Sequence, residues 1–171
     1  MIATWRDNDC RWQTVGMVCF FFILVLSWSR CEAAPFNARV AYVIDGDTIT
    51  VQAGEKRIRI RLWGIDTPEK AQPYSDAARR FTIGMLLGRT VEIVPVQRDD
   101  YGRLVASVFV AGRNAGEELV RSGWAWVHIY YCRRKICRSW RVMEKEARHQ
   151  RIGLWQEKRP VAPWVWKRKH R

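Results

Sequence analysis

The sequence predicts a β-rich α+β domain in which a small closed sheet of five strands carries about three helices. Short strand-like runs separated by turns begin at residue 39, and helical patterns lie between and after them. With 171 residues, 48% of them hydrophobic, the chain can bury one core and has room for short extensions, but not for a second domain. The same composition excludes a disordered chain, a collagen-like repeat and a coiled coil.

Three consecutive strands in a meander are expected first. The third is the clearest, because Arg57, Arg59 and Arg61 alternate with apolar residues. This alternation buries one face of the strand and leaves the guanidinium groups on the other. The turns DGDT and GEK separate the three runs, which are residues 38–44, 49–53 and 57–65.

A helix, two strands and two more helices are predicted to follow. Residues 73–88 have an amphipathic helical pattern that ends at Gly88. The order β-β-β-α-β-β-α-α is consistent with a five-stranded OB-type barrel. The remaining segments are strands at 90–96 and 103–112, a short helix at 114–123, an extended piece at 124–131 and a final helix at 139–153 that Gly153 ends.

The first 33 residues have the pattern of an export signal. The apolar run from Val15 to Leu26 would span about 18 Å as a helix, well short of the hydrocarbon core of about 30 Å. The small residues Cys31 and Ala33 precede a plausible cleavage point. We therefore expect residues 1–33 to be a signal peptide and the protein to be secreted or periplasmic. A membrane anchor that is not cleaved, or a buried segment, is the alternative.

The net charge of +13 is concentrated near the C-terminus. Residues 34–131 carry 13 basic and 11 acidic side chains, whereas residues 132–171 carry 14 and 3. Such an excess favours a polyanionic partner, either nucleic acid or an anionic membrane surface, because each phosphate contact releases counterions. A role in solubility alone is the third alternative.

Residues 156–171 are predicted to be a basic tail that is disordered or becomes ordered on binding. They contain two prolines, six basic residues and no periodic apolar face. Trp164 and Trp166 lie among these basic residues, where they would either stack on bases or insert at a membrane interface.

Export determines how the five cysteines are interpreted. Cys10, Cys19 and Cys31 would leave with the signal, so the mature chain would keep Cys132 and Cys137. In an oxidising compartment this pair can form a disulfide that closes a short loop, and two free thiols are the alternative. A single C-x4-C motif is poor evidence for zinc.

Three short sequences place polar residues at turns of the predicted sheet. Asp47 lies in DGDT, Asp66 and Glu69 lie in the loop RLWGIDTPE, and Arg103 follows the turn DDYG. Each has a purely structural explanation, namely turn chemistry, helix capping or a solvated side chain. The three histidines, His128, His149 and His170, are isolated from one another, and structural or surface roles are expected for them.

Taken together, the three sequences indicate metal-assisted chemistry on phosphate. Asp47, Asp66 and a backbone oxygen at Thr67 would form the hard, oxygen-only ligand set that suits Ca²⁺. On a basic chain that binds a polyanion, such a cluster makes sense only if a cation neutralises it and bridges to phosphate. Glu69 is then a candidate general base for a water attacking phosphorus, and two arginines are candidates to clamp the phosphoryl oxygens.

The residues also resemble a known family. The segments VIDGDTITV, IRLWGIDTPE, DDYGR, ELVRSGWAWV and ARHQRIGLW follow the order of the staphylococcal-nuclease-like (thermonuclease) family over residues 39–155. The resemblance implies a five-stranded OB-fold barrel in residues 34–155, and Ca²⁺-dependent hydrolysis of phosphodiester bonds in DNA and RNA that leaves 3′-phosphate ends.

The same resemblance assigns roles to individual residues. It places the calcium ligands at Asp47, Asp66 and the carbonyl of Thr67, the general base at Glu69, and the phosphate-clamping arginines at Arg61 and Arg103. Contacts with the nucleic acid would come from Tyr101 and, by a looser match, from Tyr130 and Tyr131. The founding nuclease has lysine where this chain has Asp100.

Two other functions are compatible with the same fold. A non-catalytic OB module would bind nucleic acid or a protein, but such modules usually lose one or more of the carboxylates and arginines that are all present here. A membrane-tethered basic protein would require the N-terminal segment to remain attached. An exported nuclease with little sequence specificity, expected to be a monomer without a protein partner, is the leading hypothesis.

Overall fold

The computed structural model describes residues 34–128 and 130–170. Its barrel is formed by β1 (Phe36–Val43), β2 (Thr48–Ala53), β3 (Lys56–Leu62), β5 (Thr90–Arg98) and β6 (Leu104–Val110). Neighbouring strands pair antiparallel in the order β3-β2-β1-β5-β6. A parallel pairing between β3 and β6, with Ile60 opposite Leu104, closes the sheet. The predicted five-stranded barrel is therefore confirmed.

Alternating apolar residues fill the barrel, as the sequence pattern indicates. In β6 every second residue is buried, from Leu104 to Val110, and in β3 Ile60 and Leu62 are buried while Arg57 and Arg59 are exposed. Irregular pairing in β1 and β5 marks the two points where the antiparallel ladders shift register. Two short strands, β4 (Ile65–Asp66) and β8 (Trp126–Val127), pair with each other beside the barrel.

The three predicted helices are present. They are α1 (Ser75–Leu86), α2 (Ala115–Arg121) and α3 (Ile136–His149). Asn114, the last residue of the short strand β7 (Arg113–Asn114), caps α2, because its side chain accepts hydrogen bonds from the amides of Gly116 and Glu117. The extended piece expected at residues 124–131 is limited to β8 among the residues that the structure describes.

α3 packs against the barrel through one face. Cys137, Trp140, Glu144 and Ala147 are buried on that face, and the Trp140 ring lies 5.9 Å from the Trp63 ring. The predicted disulfide is formed between Cys132, which lies just before α3, and Cys137, which lies in its first turn. Both cysteines are buried, so the pair anchors the start of the helix.

The expectation of a tail without structure is wrong for residues 163–169, which form a fourth helix, α4 (Pro163–Lys169). Pro163 occupies the first helical position, where its missing amide costs nothing. Gly153 does not end α3, which stops at His149, but begins a 3-10 helix (Gly153–Gln156). A side chain at Gly153 would lie only 2.3 Å from the carbonyl oxygen of Gly123, so glycine permits this close approach.

The proposed signal peptide at residues 1–33 lies outside the described residues. Within residues 34–128 and 130–170, no helix is both long enough and apolar enough to cross a bilayer.

Candidate active site

The turn between β1 and β2 holds Asp47 against the loop that follows β4. One carboxylate oxygen of Asp47 accepts hydrogen bonds from the backbone amide (2.7 Å) and the hydroxyl (2.8 Å) of Thr67. A side chain at Gly46 would approach the Thr67 hydroxyl to 2.8 Å, so the turn requires glycine to come this close. Asp47 is only 4% exposed, which fixes its carboxylate in one position.

Asp66 and Arg61 complete a buried charged group with Asp47. Asp66 ends β4 and is 2% exposed, and Arg61 lies near the end of β3. The Arg61 guanidinium forms ion pairs with both carboxylates, through Nη1 to Asp47 and through Nη2 to Asp66. Two carboxylates therefore face one guanidinium in a buried place.

This group has the donor chemistry of a site for a hard cation. One arginine balances only one of the two buried carboxylates, and burying an unbalanced charge is unfavourable. Carboxylate and carbonyl oxygens are the ligands that Ca²⁺ prefers. Among the described residues, no cluster of three or more His, Cys, Asp or Glu side chains could hold a metal. With only two carboxylates here, Asp47 and Asp66, a cation would need backbone oxygen, such as the Thr67 carbonyl, and water as its further ligands.

A cavity of about 400 Å³ lies in front of Arg61 and Asp66. Arg103, just before β6, lines the same cavity and donates from Nε to Asp99 Oδ2 at 2.7 Å. Burial raises the pKa of Asp99, but hydrogen bonds from Arg103 and Tyr101 together with the charge of Arg103 outweigh it and hold that pKa below its usual value. Tyr101 is 78% exposed at the rim, with the Arg103 guanidinium 5.4 Å from its ring centre.

Glu69 lies beside the cavity and is not part of its lining. Its Oε1 is 2.7 Å from the Nζ of Lys167, an α4 residue that does line the cavity. Gln72 strengthens this connection, because its side chain accepts from the Glu69 amide (2.9 Å) and donates to the Val161 carbonyl (2.7 Å). The C-terminal segment is thus attached to the loop that carries Glu69.

An aromatic cluster forms another wall of the cavity. The His128 ring is 4.5 Å from the Tyr131 ring and 5.4 Å from the Trp164 ring, and all three residues line the cavity. Tyr130 lies 6.0 Å from His128 and outside the lining. Burial lowers the pKa of His128, with Asp66 opposing this and Arg61 and Lys167 reinforcing it, so the surroundings favour the neutral imidazole.

The structure gathers some of the predicted residues around the cavity and leaves others apart. Arg61, Asp66, Tyr101, Arg103 and Tyr131 line it. Asp47 and Thr67 lie behind Arg61 and Asp66, while Glu69 and Tyr130 lie outside the lining. Asp99, His128 and Lys167 also line it but were not predicted, and Trp164, for which base stacking was one of two expected roles, lines it as well. Of the three that were not predicted, Asp99 had a local signal, since it is the first residue of the DDYGR motif.

Comparison with known proteins supports the resemblance noted in the sequence. Residues 59–157 match the family model described as staphylococcal nuclease homologue. A protein of Escherichia coli O157:H7 named "Uncharacterized endonuclease" is 38% identical over 146 residues, covering 85% of this chain and 93% of its own length. The "Micrococcal nuclease" of Shigella flexneri is 33% identical over 165 residues, covering 91% of each chain. The "Staphylococcal-like nuclease CAN1" of Arabidopsis thaliana is 35% identical over 116 residues, covering 68% of this chain and 35% of its own length.

Proposed function

Because the chain belongs to the staphylococcal nuclease family, in which its relatives are named nucleases and endonucleases, we propose that it is an exported Ca²⁺-dependent nuclease. It hydrolyses phosphodiester bonds of DNA, RNA or both with little sequence specificity and leaves 3′-phosphate ends. The observation that carries this proposal is the buried group of Asp47, Arg61 and Asp66, which opens onto a cavity that Arg103 also lines.

The side chains at the cavity match the needs of phosphoryl transfer. Arg61 and Arg103 present planar guanidinium groups that stay charged and can each hold two phosphoryl oxygens. Negative charge builds up on those oxygens as water attacks, so the arginines bind the transition state more tightly than the substrate. When bound, Ca²⁺ would neutralise the carboxylates and draw the phosphate towards them.

Glu69 accepts the proton of the attacking water in this proposal. As the new bond to phosphorus forms, the bond between phosphorus and the 5′-oxygen breaks, and that oxygen leaves and takes up a proton from solvent. A carboxylate held close to the reacting atoms is a suitable general base, and the ammonium group of Lys167 holds this one at the edge of the cavity. The hydrogen bonds of Gln72 fix the backbone at Glu69 in the same place. The base is therefore positioned by the barrel loop and by α4 together.

Export is supported by the disulfide. Cys132 and Cys137 are bonded and buried, and such bonds persist in oxidising compartments outside the cytosol. An apolar run in residues 1–33 is consistent with the same destination.

The proposal is tested by incubating the purified protein, expressed from its full coding sequence, with single-stranded DNA or RNA. We expect cleavage with Ca²⁺, 3′-phosphate ends on the products, and no cleavage after chelation. Glu69→Gln should lower kcat by about 10²–10⁴-fold, since it removes the general base. Glu55→Gln, at the exposed turn between β2 and β3, is the matched control and should retain full activity.

Two results would contradict the proposal. Absence of cleavage with Ca²⁺, Mg²⁺ and Mn²⁺, combined with intact DNA binding, would favour a non-catalytic binding module. A Glu69→Gln protein as active as Glu55→Gln would remove the assigned role of Glu69 without removing the enzyme.

A further inference from the structure

Five basic residues form a stripe along one side of α3. Arg138, Arg141, Lys145 and Arg148 lie on the helix and Arg134 lies just before it, at intervals of four, three, four and three residues. These intervals place side chains above one another on a helix surface. All five residues are exposed to solvent. We call this set the basic stripe.

Most of the charge in the basic stripe is not neutralised by the protein. Glu144 forms an ion pair with Arg148. Within the described residues, the other four members of the stripe form no ion pair with a carboxylate. The neighbouring face of α3 is packed in the core, so the stripe is carried by a fixed helix. Four positive charges are therefore held in a row and open to solvent.

The basic stripe begins at the cavity. The Arg134 guanidinium lies 5.1 Å from the ring centre of Trp63, which lines the cavity next to Arg61. Arg141 donates to the carbonyl of Cys132 at 3.3 Å, and Cys132 directly follows Tyr131, which lines the cavity. A strand that leaves the cavity past Trp63 would meet the stripe directly.

The length of the basic stripe suits several nucleotides. From Arg138 to Arg148 the helix advances 10 residues, which is about 15 Å at the helical rise of about 1.5 Å per residue. One strand of a B-form duplex advances about 3.4 Å for each phosphate, so this part of the stripe spans about four nucleotides, and Arg134 extends it towards the cavity. An anionic membrane fits less well, because a helix that binds at an interface inserts its apolar face, and that face of α3 is buried in the protein.

We propose that the basic stripe binds the phosphate backbone of the substrate strand outside the cavity. The substrate is then a polynucleotide whose flanking phosphates contribute to affinity, and not only the bond being cut. This inference rests on the proposed function, since it assumes that the cavity holds the scissile phosphate.

The test compares two double variants that remove equal charge. Arg138→Gln/Lys145→Gln removes two charges from the stripe, and Arg80→Gln/Arg89→Gln removes two exposed charges from α1 and the turn after it. Binding of single-stranded DNA of 4 and of 30 nucleotides is measured with Ca²⁺ chelated, between 50 and 200 mM salt. Each phosphate contact with a single strand contributes about −0.7 to the slope of log K against log salt. Removing two contacts should therefore make the slope of the stripe variant on the 30-mer less steep by about 1.4. The control should match the wild type, and the wild-type preference for the 30-mer should shrink only in the stripe variant.

Several outcomes would overturn the inference. Equal slopes in the two double variants would show that general charge, and not the stripe, drives binding. Loss of binding to vesicles of anionic phospholipid, with unchanged DNA binding, would assign the stripe to a membrane. If the double variant does not fold, the single variants Arg138→Gln and Lys145→Gln give the same comparison with half the change in slope. If the wild-type protein cleaves the 30-mer but the stripe variant has the same salt slope as the wild type, only this inference is refuted. If the wild-type protein never cleaves, the proposed function is refuted.

Discussion

Residues 34–131 and residues 132–171 contribute to the same cavity in different ways. The first segment carries 13 basic and 11 acidic side chains and buries two of the acids, Asp47 and Asp66. The second carries 14 basic and 3 acidic side chains, and those of its basic side chains that lie in the described residues are exposed. Buried charges act strongly over short distances, whereas exposed charges are screened by salt. In the function that we propose, the barrel acts on one phosphate and the C-terminal segment binds several others.

Substitutions in the two segments are therefore expected to change different kinetic constants. A change in the barrel site should lower kcat at every salt concentration, because it removes an interaction made in the transition state. A change among the exposed basic residues should raise KM, and the effect should depend on salt. The two segments meet at Lys167, which belongs to the second segment and contacts Glu69 of the first.

After Glu69→Gln, the largest effect is expected from Arg103→Ala. Arg103 lines the cavity and is aligned by Asp99, so its loss removes a fixed donor to the phosphoryl oxygens. Removing one such donor from an active site costs about 10²–10³ in kcat. Steady-state kinetics on single-stranded DNA at low and high salt measure it.

Arg98→Ala is the control for Arg103→Ala, because Arg98 also lines the cavity but is exposed, and its guanidinium donates to the Gly102 carbonyl and not to a carboxylate of the described residues. Arg98→Ala should change kcat much less. Equal losses in the two variants, or a loss for Arg103→Ala that disappears at low salt, would place Arg103 with the residues that hold substrate.

A smaller effect is expected where the two segments meet. Lys167 is 48% exposed, and an exposed ion pair contributes at most about 1 kcal/mol, so Lys167→Met should lower kcat by no more than about fivefold. Lys167→Arg should restore most of this, because it keeps a positive charge next to Glu69. The kinetic constants of both variants on a tetranucleotide separate kcat from KM.

Lys169→Met, a change of charge on the same helix, is the control for Lys167→Met. If both methionine variants raise KM and leave kcat alone, Lys167 only attracts substrate and does not position Glu69. A variant protein with arginine at 167 that is as slow as the methionine variant would also contradict the positioning role.

Much of the barrel and part of its site follow from local sequence. In β3 the alternation of Arg57, Arg59 and Arg61 with apolar residues fixes which face is buried, and on the other face Arg61 pairs with Asp47 and Asp66. The turn DGDT brings Asp47 to a fixed position because glycine allows close approach to Thr67. Such features depend on residues near one another in sequence, where turn chemistry and strand period are strong signals.

The position of the C-terminal segment beside the cavity could not be predicted from local sequence. α4 is only seven residues long and has no marked apolar period, so its sequence resembles a solvated basic tail. Its position depends on Gln72 binding Val161 and on Trp164 packing near His128, and these contacts join residues far apart in the chain. His128 reached the cavity wall for the same reason, since its backbone amide binds the carbonyl of Gly64.

The central claim is that the barrel cuts while the basic C-terminal segment holds the substrate. Its most direct test is the dependence of kcat and KM on salt for the wild-type protein, measured with Ca²⁺ on a 30-nucleotide single strand. We expect KM to rise steeply between 50 and 200 mM salt while kcat changes little, because exposed charges are screened and the buried group of Asp47, Arg61 and Asp66 is not. A kcat that falls as steeply as KM rises, or a KM that does not respond to salt, would contradict the division between the two segments.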